Sequence, residues 1–157
     1  MRVLLVVDMQ KGFLTKDKYI ALAERLDKYF LQQSYDKIIF TKYINDVSKN
    51  NLYQTRIGWN KLTTKAEQEL CFANTGKAIV LEKYGYGLEQ KDLEYIKSLN
   101  INQIDVCGLK AEACVYAVSL QLWDLGIYPN ILINYVEGDV SMKEVYIKQF
   151  GDVDTVA

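Results

Sequence analysis

The chain contains no histidine. That absence excludes Ser-His and Cys-His catalytic pairs and histidine-built metal clusters, so any acid or base must be a carboxylate or a lysine. A surplus of either charge is missing too: 19 basic residues stand against 20 acidic ones, a net charge of -1. That balance gives no support for binding nucleic acid or an anionic membrane surface. No apolar run reaches the length of a membrane span. The opening run at 2–7 is too short for a leader, and Asp8 interrupts it. The three cysteines, at 71, 107 and 114, are an odd count without framework spacing. They predict free thiols in a reducing cytoplasm rather than disulfides.

What is present is ordinary globular composition, 50% hydrophobic and 25% charged over 157 residues, which predicts a single domain spanning 1–157. Apolar runs predict strands at 2–7, 37–42, 78–83, 103–107 and 128–133, with a sixth edge strand at 153–156. Helical periodicity predicts helices at 16–33, 60–70, 89–98, 113–125 and 141–149. The first should bury Ile20, Leu22, Ala23, Leu26, Tyr29 and Phe30; the last should bury Val145, Ile147 and Phe150. Residues 43–60 read as a long polar loop, a length that points to function. Strand and helix alternate throughout, so the expected fold is a three-layer α/β/α domain on a mostly parallel sheet of five to six strands.

In such sheets ligands bind beyond the carboxyl ends of the strands. Three reactive side chains fall at those ends: Asp8 after the first strand, Lys83 closing the third, and Cys114 on the opening turn of the helix after the fourth. Singly, each is more often a cap, a solvated charge or a core residue. Together they form a nucleophile, a base and a cation without histidine. A helix N-terminus and a nearby lysine favour a thiolate, and a carboxylate can take and return a proton. Cys107, inside an apolar strand, reads as a core residue, and its spacing from Cys114 is not that of a redox pair. Among the 12 tyrosines and the other aromatics, Phe13, Trp59, Tyr84 and Tyr86 lie near the same end. They are candidate substrate contacts. Gln10 is another, with fixing the loop as its alternative role.

Three segments resemble the isochorismatase-like cysteine hydrolases, the superfamily that includes nicotinamidases and N-carbamoylsarcosine amidohydrolase. Leu4-Leu5-Val6-Val7-Asp8-Met9-Gln10-Lys11-Gly12-Phe13 is similar to the family's opening strand and its D-x-Q-x-x-F signature. Glu82-Lys83-Tyr84-Gly85-Tyr86 is similar to the lysine segment, and Val106-Cys107-Gly108-Leu109-Lys110-Ala111-Glu112-Ala113-Cys114-Val115 to the nucleophile segment. The resemblance implies an Asp8–Lys83–Cys114 triad and a cis peptide at Leu109-Lys110. It also implies an oxyanion site made by the N–H groups of Lys110 and Cys114, and a sheet order of 3-2-1-4-5-6. That order puts Lys83 roughly 10 Å from Asp8, across the second strand.

The departures matter as well. Nicotinamidases hold a metal with an aspartate and histidines after the second strand, where this chain has Thr41-Lys42-Tyr43-Ile44-Asn45-Asp46. Ala111 and Glu112 stand where many relatives have a threonine and an aspartate. The expected activity is therefore metal-independent and cofactor-free hydrolysis of a C–N bond in a small amide or carbamoyl compound, through a cysteine thioester. The alternatives are vinyl-ether hydrolysis of the isochorismatase type, or a binding or assembly protein that keeps the fold. The segment 115–123, apolar nearly all round, packs either within its own domain or at a subunit interface, as in similar proteins that form dimers or larger assemblies; the expected state is a homo-oligomer, a dimer or larger.

Overall fold

In a computed structural model, residues 1–73, 75 and 78–155 are described. β1 (Val3–Val7) is five apolar residues, all buried. A strand apolar at every position must be covered on both faces. Alternation along it feeds two cores. Val3, Leu5 and Val7 meet Ile96, Val118, Leu122 and Tyr146, whereas Leu4 and Val6 meet Tyr19, Leu22 and Leu26.

β1 lies between β2 (Lys37–Tyr43) and β4 (Gln103–Leu109). β3 (Ile79–Lys83) flanks β2, and β5 (Tyr128–Glu137) flanks β4, giving an all-parallel sheet of order β3-β2-β1-β4-β5. The expected sixth strand is reduced, among the described residues, to one parallel bridge between Leu132 and Asp154; Val156 lies outside them.

α1 (Asp17–Gln32) covers one face through Tyr19, Leu22, Ala23, Leu26 and Tyr29. Ile20 stays 41% exposed, because Tyr19 takes the stripe position one turn before Leu22 and Ala23. α4 (Gln90–Ser98), α5 (Tyr116–Asp124) and α6 (Lys143–Phe150) serve the other core. α6 buries Tyr146 and Phe150, a spacing of four, and leaves Val145 and Ile147 exposed. Those two lie two residues apart and do not share a helical face with each other, so one face cannot bury both. The polar stretch after β2 holds a short helix, α2 (Leu52–Ile57), and α3 (Lys65–Gln68) follows.

Strand order reverses between β1 and β4, where Val7 pairs with Gly108. Gly108 has φ 118, and a Cβ there would lie 2.2 Å from the Val7 carbonyl oxygen. Only glycine lets the two central strands approach this closely. The Leu109–Lys110 peptide that follows is cis.

Candidate active site

Asp8 is the first residue past β1 and sits at φ 50. Its backbone N–H donates to Thr41 Oγ1 at 3.0 Å, and that hydroxyl donates to Asp8 Oδ1 at 2.6 Å. Oδ2 lies 2.8 Å from Lys83 Nζ, and Lys83 also donates to the Gly85 carbonyl at 2.9 Å. Both residues are fully buried. The expected gap across β2 is closed by register: Lys83 pairs with Tyr43 at the end of β2, and its stem carries Nζ over the Tyr43 ring, 5.5 Å from the centroid.

Cys114 arrives on a single π turn, Ala111–Val115, that runs into α5. This turn begins earlier than the expected helix start at 113. The Lys110 carbonyl accepts from the N–H groups of Ala113 and Val115, on either side of Cys114. The Cys114 side chain interacts with both Asp8 and Lys83. Burial pushes its thiol up to about 12; Lys83 pulls it down, and Asp8 adds to the rise. The direction is opposite to the thiolate expected from the helix end: desolvation outweighs the pull of the lysine and favours the protonated thiol. For Lys83, burial disfavours the charge, but the Asp8 carboxylate and the Cys114 sulfur more than offset it, so its pKa is raised.

Above the sulfur lies a cavity of about 190 Å³, walled by Phe13, Tyr43, Tyr53, Trp59, Tyr86 and Lys110 together with Ile57, Glu112, Ala113 and Cys114. Phe13 and Trp59 stack at 6.1 Å, and Tyr43, Tyr53 and Tyr86 form a second aromatic run at 5.1 and 5.0 Å. Of the aromatics singled out from the sequence, Phe13, Trp59 and Tyr86 line this cavity. Tyr84 does not line the cavity; it lies near Lys49, 5.5 Å from its ammonium. Gln10 is fully buried and already bonded, accepting from the Tyr43 N–H at 2.8 Å and donating to the carbonyls of Tyr43 and Gln68. It fixes the loop rather than facing the cavity. Tyr43, Tyr53 and Thr41 were not singled out by the sequence. Their signal was positional: Thr41 and Tyr43 follow Phe40, which pairs with Val6, two residues before Asp8.

Lys110 and Glu112, the charged wall residues, are both engaged by Asp139. Lys110 Nζ lies 3.3 Å from its carboxylate, and the Glu112 oxygens accept its N–H at 3.0 and 3.2 Å. Among the described residues no three His, Cys, Asp or Glu side chains cluster so as to hold a metal ion.

Residues 2–133 match the isochorismatase domain family. The chain belongs to the isochorismatase family. Its fold is shared with N-carbamoylsarcosine amidase from Thermoplasma acidophilum, at a TM-score of 0.79 and 17% identity, covering 98% of this chain and 95% of that one. Pyrazinamidase of Pyrococcus horikoshii, solved in complex with zinc, gives 0.77 at 17% identity, covering 96% and 94%. Nicotinamidase from Bacillus subtilis gives 0.75 at 15%, covering 98% of each chain. No curated protein matches the sequence. At these identities the shared feature is the isochorismatase-family fold. The zinc of the Pyrococcus protein has no counterpart donor set among the described residues here.

Proposed function

We propose that this isochorismatase-family protein is a metal-independent cysteine hydrolase that cleaves a C–N bond in a small amide or carbamoyl compound. One observation carries the reading: Asp8, Lys83 and Cys114, from three separate strand ends, interact with one another beneath a cavity that the sulfur helps to line.

Because the thiol rests protonated, Asp8 acts as base during attack: it takes the Cys114 proton as the sulfur bonds the substrate carbonyl carbon. The N–H groups of Lys110 and Cys114 serve the resulting oxyanion, one such donor being worth about 3 kcal/mol. Asp8 then passes the proton to the leaving nitrogen, the C–N bond breaks, and a thioester remains. Water, deprotonated by Asp8, attacks the thioester; acid is released and the thiol regains its proton. Lys83 stays cationic and holds the Asp8 carboxylate throughout. Seven aromatic or aliphatic wall residues exclude water, which strengthens each charge interaction inside.

The test is ammonia release from a panel of primary amides and carbamoyl compounds. Turnover should fall on the order of 10³-fold or more in Cys114→Ala and in Asp8→Asn. Full activity in Cys114→Ala would remove the thioester route. We also propose a homo-oligomer built on the α5 face, where Trp123 is 46% exposed; a monomeric mass by light scattering at every concentration would exclude it.

A further inference from the structure

The Tyr43 side chain is only 2% exposed, yet its hydroxyl has no hydrogen-bond partner among the described residues. Buried hydroxyls are nearly always paired, because leaving one unpaired costs stability. This one belongs to a residue that lines the cavity over Cys114. It is also held rigidly. The Gln10 amide clasps both backbone groups of Tyr43 at 2.8 and 2.9 Å, and the Tyr53 ring packs against it at 5.1 Å. Burial, then the nearby Cys114 and Asp8, raise its pKa, so the phenol keeps its proton and acts as a donor.

The rest of the wall limits what that donor can meet. The charged wall residues, Lys110 and Glu112, are both committed to Asp139, and Lys110 Nζ lies over the Trp59 ring at 5.4 Å. An anionic substrate would therefore lose its hydration to rings, to a lysine already paired with Asp139, and beside the Glu112 carboxylate, which is bonded to a backbone N–H and not to a cation. An uncharged substrate carrying one acceptor atom would lose little and would satisfy the stranded hydroxyl.

We propose that Tyr43 is the specificity-determining donor of this site, its hydroxyl bonding an acceptor atom on an uncharged substrate whose carbonyl lies at Cys114. The inference rests on the amide-hydrolase reading. Its consequence is selectivity: an isosteric molecule without the acceptor strands the hydroxyl again and binds less well.

Benzamide and the three pyridinecarboxamides test this, since they share a shape and differ in one ring acceptor. Their dissociation constants are measured on Cys114→Ala protein, with and without Tyr43→Phe. At least one pyridine isomer should bind roughly five- to tenfold tighter than benzamide, and Tyr43→Phe should erase that margin while leaving benzamide within about twofold. Benzoate should bind more weakly than benzamide. The thermal midpoint of Tyr43→Phe should hold or rise, because an unpaired hydroxyl is removed. A margin that survives Tyr43→Phe, no margin for any isomer, benzoate binding as tightly as benzamide, or a lowered midpoint would each overturn the assignment. Turnover of the amides by the unmodified enzyme reports on hydrolysis separately. Ammonia release with no ring-acceptor preference would keep the hydrolase and remove the role of Tyr43. The preference without any turnover would do the reverse.

Discussion

Cys114 keeps its proton because burial outweighs the pull of Lys83, and this has a measurable alkaline signature. Its pKa is raised from 9.0 to about 12. The folded chain thus holds a proton that the unfolded chain releases above pH 9. That stabilisation is complete below about pH 9 and is lost as pH climbs toward 12. The raised Lys83 acts in the same alkaline direction. The thermal midpoint should therefore fall above about pH 9, and fall less in Cys114→Ala. Alkylation of Cys114 by iodoacetamide should keep accelerating through pH 9. A rate that levels off near neutrality would mean that a thiolate is already present. Removing the cation alone is a different matter. Lys83→Met leaves the Asp8 carboxylate buried and uncompensated, and should cost about 3–5 kcal/mol in urea unfolding. Adding Asp8→Asn to that variant should restore part of the loss. The identities of Asp8, Lys83 and Cys114 were legible as three reactive residues at three strand ends. The state of the sulfur was not, because a sequence shows a helix start but not how much water is removed from it. Tyr43 was illegible for another reason: 12 tyrosines offer no way to tell one stranded hydroxyl from the rest.

At the level of elements, the site depends on two close approaches. Gly108 brings β4 against β1, and a methyl there would lie 2.2 Å from Val7 O and 2.7 Å from Val7 N. Gly108→Ala should prevent stable folding, seen as loss of a cooperative unfolding transition. Gly138 lies against the turn that carries Cys114; a Cβ would lie 2.0 Å from Glu112 Oε2 and 2.9 Å from the Ala111 nitrogen. Gly138→Ala should displace Glu112 and disturb the turn, lowering turnover far more than the thermal midpoint. Element boundaries were legible wherever periodicity was clean, as in β1 and α1. They were not where short apolar runs compete. The α6 face was misassigned because Val145 and Ile147 look apolar regardless of direction. The stretch 153–156 reads as an edge strand, yet among its described residues it makes a single bridge to β5.

The whole molecule is an open parallel sheet whose order reverses between β1 and β4, and the proposed chemistry sits at the crevice that the reversal creates. The alternation of elements made that architecture readable, and the isochorismatase-family match over residues 2–133 agrees with it. The aromatic lining was only half readable, since Tyr43 and Tyr53 come from β2 and α2, and the polar stretch between them concealed the second. The most direct test is rapid acid quench of the enzyme with its best amide from the panel, followed by intact and peptide mass spectrometry. An acyl adduct on the Cys114 peptide, absent in Cys114→Ala, is the predicted result. Turnover without an adduct, undiminished in Cys114→Ala, would contradict the thioester mechanism and favour hydrolysis by protonation, as in ether cleavage.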